Sequence, residues 1–256
     1  MLGIVSCAAA ACAPKAPALP SGAGTPFPQF ESAYEQATTG CRRVTTMTAS
    51  MALSGKAGST KLRGRIDAGF AAPARARLEG VAPFGKPVFV LIADGSRGTL
   101  VLSREDRVLS DADPERIVEA LAGVPVGPEA LRMAVAGCGL GGPAPTSGQS
   151  FPNGWASAAS GDATIYLRPA GAGWQVAAAR RGPLTVTYAD YTSGRPSTIH
   201  LRAEGQDRVN AEVTLRLSDV AINTALDPRT FAVEIPEHAV PLTLEELRRA
   251  GPLGGT

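Results

Sequence analysis

The feature that most constrains this chain is a long succession of segments in which apolar and polar residues alternate with period two. Met47, Ala49, Met51 and Leu53 alternate with Thr46, Thr48, Ser50 and Ser54. Leu62, Gly64, Ile66, Ala68 and Phe70 alternate with Lys61, Arg63, Arg65 and Asp67. Ala74, Ala76 and Leu78 alternate with Arg75, Arg77 and Glu79. Successive strand side chains point to opposite faces, so these are strands with one dry and one wet face, as in antiparallel sheets. Residues 55–59 and Ala71-Ala72-Pro73 mark the first two turns. Segments 88–92 and 99–102 form the next pair, joined across Asp94-Gly95, and 107–109 adds a short strand.

The period then changes. Asp113-Pro114-Glu115 reads as an N-cap, a first-turn proline and a first-turn acid. Ile117, Val118 and Leu121 give a helical stripe that Gly123 ends, and a second helix is expected over 127–136, with Leu131 and Val135 four apart. An earlier helix is expected over 29–41, where Phe30, Tyr34, Ala37 and Cys41 share a face. Residues 139–152 read as a Gly/Pro/Ser loop. Strand patterns resume at 163–167, 174–179, 184–188 and 198–202. The clearest is Val209, Ala211, Val213, Leu215 and Leu217, alternating with Asn210, Glu212, Thr214, Arg216 and Ser218. Phe231, Val233 and Ile235 are expected to close the sheet, and 243–249 to form a last helix with a capping box from Thr243 to Glu246. The sum is about eleven strands with a helical insert, a curved antiparallel sheet or barrel with helices against one face. Its dry face is rich in Ala, Gly, Val and Met, which leaves either a cavity or a core filled by the helices.

Composition excludes several classes. Lys and Arg total 25 against 23 Asp and Glu, a net charge of +2, which gives no footprint for nucleic acid. Arg63, Arg65, Arg75 and Arg77 would cluster if their strands pair, as a solvated face or as a contact with anionic lipid headgroups. The chain has two histidines; His200 lies in a strand pattern and His238 in a proline-rich connection. The segment from Gly80 to Pro87 has P-loop spacing but ends in Pro87 where Ser or Thr is needed, and no helix pattern follows. Gly139-Leu140-Gly141 follows a helix pattern, not a strand, so a dinucleotide loop fails too. No nucleophile elbow, metal-ligand spacing or paired-carboxylate site stands out, so no cofactor, no metal and no catalytic residue are expected.

The N-terminus points elsewhere. Ile4-Val5-Ser6-Cys7 resembles a bacterial lipobox, with Cys7 as the lipidated residue and Cys12, after Ala9-Ala10-Ala11, as second choice. The apolar run before Cys7 is short for a signal h-region, so this reading needs a start upstream of Met1. The alternative is a frayed, Ala-rich end with two chance thiols. Pro14, Pro17, Pro20, Pro26 and Pro28, with Gly22 and Gly24, give a semi-extended tether. Cys41 and Cys138 each end a helix pattern and either pair as a disulfide or stay as two buried free thiols.

The block Leu78-Glu-Gly-Val-Ala-Pro-Phe-Gly-Lys-Pro-Val-Phe-Val-Leu, then Asp94-Gly95 and Thr99-Leu-Val-Leu, resembles the outer-membrane lipoprotein receptor of the Lol pathway. So does the continuation from Arg107 through Asp113-Pro114-Glu115 to Gly123, Gly127-Pro128 and Leu131. The likeness to this LolA/LolB-like superfamily is good over 44–140 and looser beyond, where Asp219, Asn223 and Phe231 accompany the closing strands. It implies a mainly β (α+β) fold: a curved antiparallel half-barrel of about eleven strands closed by helices. It further implies a monomer that takes lipoprotein acyl chains from a soluble periplasmic carrier and delivers them to the inner leaflet of the outer membrane. Localisation would be at the outer membrane, lipid-anchored and facing the periplasm.

The residues matching the protruding Pro-apolar-Gly loop are Pro83, Phe84 and Gly85, with Phe84 entering the membrane; the alternative is that Phe84 folds back into the core. The acyl-chain cavity would be walled by Met47, Met51, Leu53, Leu62, Ile66, Leu78, Phe89 and Leu91, with Ile117 and Leu121 from the helix. The expected organisation is a signal-peptide remnant at 1–6, a tether at 7–28, the half-barrel domain at 29–241 and a C-terminal helix and tail at 242–256. The competing reading is a structural or interaction lipoprotein of the envelope that carries no transferred ligand.

Overall fold

The alternating segments pair into one open, curved sheet of 15 strands in the computed structural model, which describes residues 17–82, 84, 86–205 and 209–252. The strands are β1 (Thr25–Pro26), β2 (Thr46–Ala57), β3 (Thr60–Ala71), β4 (Arg75–Gly80), β5 (Phe89–Asp94), β6 (Arg97–Leu102) and β7 (Arg107–Ala112). After the helices come β8 (Ser147–Ser150), β9 (Ala156–Ser160), β10 (Ala163–Ala170), β11 (Gly173–Arg181) and β12 (Leu184–Thr192). β13 (Arg195–Glu204), β14 (Val209–Ile222) and β15 (Val240–Pro241) complete the set. The helices are α1 (Phe30–Arg42), α2 (Pro114–Ala122), α3 (Pro128–Ala136) and α4 (Leu244–Ala250).

In space the order is β1, then β8 to β14, then β2 to β7, then β15. Two meanders are therefore joined by one long-range pair, β14 against β2, whose register sets Leu215 opposite Leu53 and Leu217 opposite Met51. All pairs are antiparallel except β15 with β7. Closure of the second meander onto the first is a non-local step, and the matching apolar faces of β2 and β14 specify its register.

Sequence signals explain the local choices. Asp113 caps α2 by accepting the Glu115 N–H at 2.9 Å, and Gly123 ends it in a left-handed conformation, φ 71°. A Cβ on Gly123 would also sit 2.9 Å from Ala57 and Ala211, so this glycine lets α2 meet the β2–β14 seam closely. Thr243 and Glu246 form the capping box of α4. Arg107 then ties α4 to β7, donating to Glu246 at 3.0 Å and to the Pro241 carbonyl at 3.2 Å.

The structure departs from expectation in four places. More strands form than the alternation shows, because β1 and β15 are two-residue bridges and β8 lies inside the segment read as a loop. The sequence Ala-Ser-Ala-Ala-Ser of β9 has no β-branched residue to mark it. Phe231, Val233 and Ile235 form no strand. Asp227 accepts the Arg229 N–H at 2.8 Å and starts a 3-10 turn at Pro228–Phe231, and Phe231 lies under the Arg75 guanidinium at 4.4 Å. Finally, the fully buried residues of α1 are Ala33, Tyr34 and Thr38, so of the expected stripe Tyr34 is buried while Ala37 and Cys41 pack against the core only partly buried.

The arginine cluster also divides. β3 and β4 do pair, but their register sets Arg75 and Arg77 opposite Ala71 and Gly69, far along β3 from Arg63. Arg77 is taken up by Glu79 at 2.8 Å and by the Ala232 carbonyl at 3.0 Å.

Candidate functional site

The dry residues of β2 to β6 form one apolar wall on the inner side of the sheet. Register places Met47 beside Phe70, Met51 beside Ile66, and Leu53 beside Gly64. Ala68, Leu78, Leu91 and Leu100 continue the row. Gly80 faces Phe89, whose ring fills the space where a Gly80 Cβ would lie, 2.6 Å away. α2 and α3 lie against this wall: Ile117, Leu121, Leu131 and Val135 belong to the same continuous core as the strand residues.

Coverage is uneven along the wall. Met47, Met51, Leu62, Leu78, Phe89, Leu91, Ile117 and Leu121 are buried. Leu53 and Ile66 are only partly buried, and Gly64 between them is exposed. A Cβ built on Gly64 meets nothing within 4 Å, so the inner wall has open space there. The wall is therefore packed under the helices and open in one stretch at Leu53, Gly64 and Ile66, beyond which Leu62 and Ala57 are buried again.

The connection from β4 to β5 leaves the sheet beside that stretch, since Gly80 pairs with Ile66. Val81 N–H bonds the Arg65 carbonyl at 2.8 Å, and Val88 N–H bonds the Gly80 carbonyl at 2.9 Å. These bonds pin both feet of the connection. Phe84 projects from it 91% exposed, with its ring offered to solvent. Pro83 and Gly85 lie outside the described residues, as do Cys7 and Cys12. A large apolar side chain held out in this way marks an interaction surface better than it marks a core.

Cys41 and Cys138 form a disulfide, with Cα atoms 5.6 Å apart across a separation of 97 positions. It joins the end of α1 to the turn after α3. A neighbouring 420 Å³ groove is lined by Ala37, Cys41, Val44, Trp174, Tyr191 and Pro196.

Two polar anchors hold the helices and were not singled out from sequence. Arg132 of α3 is only 7% exposed and donates to the Val44 carbonyl at 2.8 Å and the Pro73 carbonyl at 3.3 Å. Burial lowers its pKa, and Glu129 opposes that shift. Arg132 shares a helix face with Val135 and Ala136, at i+3 and i+4, and that spacing was the available signal. Tyr188 of β12 is buried; its hydroxyl donates to the Ala134 carbonyl and accepts the Gly139 N–H, both at 2.9 Å. Desolvation raises its pKa above the ordinary tyrosine value, so it is a neutral structural hydroxyl. His200 sits on the outer side of β13, opposite Thr187 and Thr214, with its pKa lowered chiefly by desolvation. Among the described residues, no group of three or more His, Cys, Asp or Glu is placed to hold a metal ion.

The fold has counterparts among solved structures. A LolA superfamily protein from Nitrosomonas europaea matches with a TM-score of 0.54 at 11% identity, over 79% of this chain and 95% of that one. A DUF1329 family protein from Desulfovibrio piger matches with a TM-score of 0.51 at 8% identity, over 79% of this chain and 96% of that one. No protein-family model and no curated protein matches the chain. At such identities the likeness is one of architecture, and the chain therefore has the open half-barrel fold of the LolA superfamily structure.

Proposed function

We propose that this chain is a lipid-anchored protein on the periplasmic side of the outer membrane that holds lipoprotein acyl chains against its inner wall and delivers them to the bilayer. The observation that carries the reading is the open stretch of inner wall at Leu53, Gly64 and Ile66, beside the exposed Phe84 connection. An acyl chain laid there extends the apolar core, and each buried methylene contributes about 0.8 kcal/mol. Met47 and Met51 lie deeper on the same wall, and thioether side chains repack readily around an irregular ligand. The hold is apolar and undirected, which suits release into a membrane that offers the same surroundings. Phe84 enters the acyl region first and brings the mouth to the bilayer. The chain would accept its cargo as a monomer from a soluble carrier, and no bond to the cargo forms or breaks.

A filled half-barrel that scaffolds the envelope is the competing reading. The full burial of Met47, Met51 and Ile117 within one continuous core is the observation in its favour. Native mass spectrometry of the protein extracted from membranes separates the two. The carrier reading expects a co-purifying acylated species that is lost on competition with a free diacylglycerol. A single apo mass, unchanged by added diacylglycerol, rejects it.

A further inference from the structure

We propose that the outer face of the sheet, on the side away from the acyl-chain wall, carries a second site that binds the phosphate-bearing headgroups of an anionic bilayer. A cleft of about 1270 Å³ runs over β2, β3 and β11 to β14. Pro17, Ala18 and Leu19 of the tether border it, and Lys56, Lys61, Arg63, Arg180 and Arg202 line it, against the two carboxylates Glu204 and Glu212. Both carboxylates are already engaged. Glu212 lies 4.0 Å from Lys56, and Glu204 lies 3.7 Å from Arg180 and 3.4 Å from Arg202. Lys61 and Arg63 have no ion-pair partner among the described residues, so the cleft carries surplus positive charge.

Two uncharged groups point to a missing oxyanion. Thr187 and His200 face one another in register across β12 and β13, and both line the cleft. Thr187 is 6% exposed, and its Oγ1 and the His200 Nε2 are shielded from water without a hydrogen-bond partner. Thr214 Oγ1 lies 3.0 Å from His200 Nδ1. With Thr214 donating there, Nε2 carries the ring proton and is a free donor. Buried polar atoms in native proteins are normally paired, so this pair calls for an acceptor. A phosphate oxygen accepts from both, and Arg180 and Arg202, which flank Thr185 in register, supply the countercharge.

Position favours a bilayer as the source of that phosphate. Lys61 and Arg63 lie on the part of β3 that extends past Ile66, where β4 ends at Gly80. The Phe84 connection starts from the same place, through the bond of Val81 N–H to Arg65. Cations and a projecting aromatic at one end of a sheet match the two layers of a membrane interface, headgroup and acyl chain.

The test uses the full chain with Cys7→Ala and Cys12→Ala, so that no lipid anchor contributes. It is sedimented with vesicles of phosphatidylcholine alone and with vesicles containing phosphatidylglycerol. Selective binding to the anionic vesicles is expected, weakened by high salt. K61Q/R63Q lowers that affinity about thirtyfold, since each cation near an anionic surface contributes about a factor of five. T187V keeps every charge and lowers it about tenfold, the value of one hydrogen bond to a charged acceptor. Acyl-chain loading is unchanged in both variants, because the inner wall is untouched. Equal binding to both vesicle types overturns the site, as does parent-like binding by K61Q/R63Q. Thermal stabilisation by inorganic phosphate with no vesicle binding also overturns the membrane assignment, leaving a site for a free phosphorylated ligand.

Discussion

Arg132 Nη1 donates to the carbonyl oxygen of Val44 at 2.8 Å, across 88 positions of chain. The bond ties α3 to the entry of β2, and the acceptor residue is buried. Arg132→Ala removes the donor and leaves that carbonyl dry. A lost hydrogen bond to a charged group costs about 1.5–3 kcal/mol. The urea midpoint should fall accordingly with an unchanged slope. Arg132→Met, which keeps the length of the stem, should recover only the packing part of the loss. A midpoint for Arg132→Ala equal to that of the parent would remove α3 anchoring from this account.

The disulfide gives α3 a second tie, to the end of α1. Cys41 and Cys138 close a loop across 97 positions. Loops of that size raise stability by about 3–5 kcal/mol in the chain-entropy view. Reduction, or the pair Cys41→Ser and Cys138→Ser, should lower the thermal midpoint while far-UV circular dichroism at low temperature stays unchanged. The strands are held by their own ladders, so α1 should lose amide protection first. Identical midpoints before and after reduction contradict the expectation.

Glu246 gives a pH signature to the C-terminal clamp. Backbone and side-chain hydrogen bonds from Thr243, then the bond from Arg107, lower its pKa from 4.5 to about 2. The carboxylate form is the one favoured by folding. Its contribution is therefore complete above the unfolded value, declines as pH falls below about 4.5, and is gone once pH passes about 2. The stability difference between the parent and Glu246→Gln should be constant at neutral pH and vanish across that acid window. A difference independent of pH throughout would mean that Glu246 does not titrate with the fold.

The half-barrel was legible because period-two alternation and turn residues are local signals. The helices were legible for the same reason: Asp113, Gly123 and the Thr243–Glu246 box each act within one turn. What escaped was set by register and by distant partners. Nothing local says that Arg77 falls beside Gly69 and is taken by Glu79 and Ala232, leaving Arg63 to a different neighbourhood. Phe231 looked like a strand residue because its apolar neighbours alternate. Pro228 and Pro236 around it remove ladder donors, and the cation of Arg75 gives its ring another partner. The cationic cleft draws on six separate strands. It became visible only once the second meander had closed on the first.

Phe84 tests the membrane end. Its ring is free of the core, so Phe84→Glu should leave the thermal midpoint within about 0.5 kcal/mol of the parent. Burying a phenylalanine in an apolar phase is worth about 1.5–3 kcal/mol. Removing it should slow delivery of an acylated peptide to vesicles about tenfold or more, while loading of that peptide persists. Unchanged delivery would take the connection out of the transfer step.

Gly64 tests the wall itself. It lies between Leu53 and Ile66 on the inner face with empty space where a side chain would stand. Gly64→Leu puts an apolar group into that space without straining the strand, and it replaces a residue that weakens strand interiors. Stability should hold or rise by about 1 kcal/mol, the value of a partly buried leucine. Loading of a fluorescent fatty acid should drop, because the added side chain occupies the room the ligand needs. Ala52→Leu adds bulk one strand away on the opposite, exposed face, opposite Arg65 and Arg216, and should leave loading intact. Equal loading by Gly64→Leu and Ala52→Leu would place the ligand elsewhere on the protein. A loss confined to Gly64→Leu ties it to the open stretch of the inner wall.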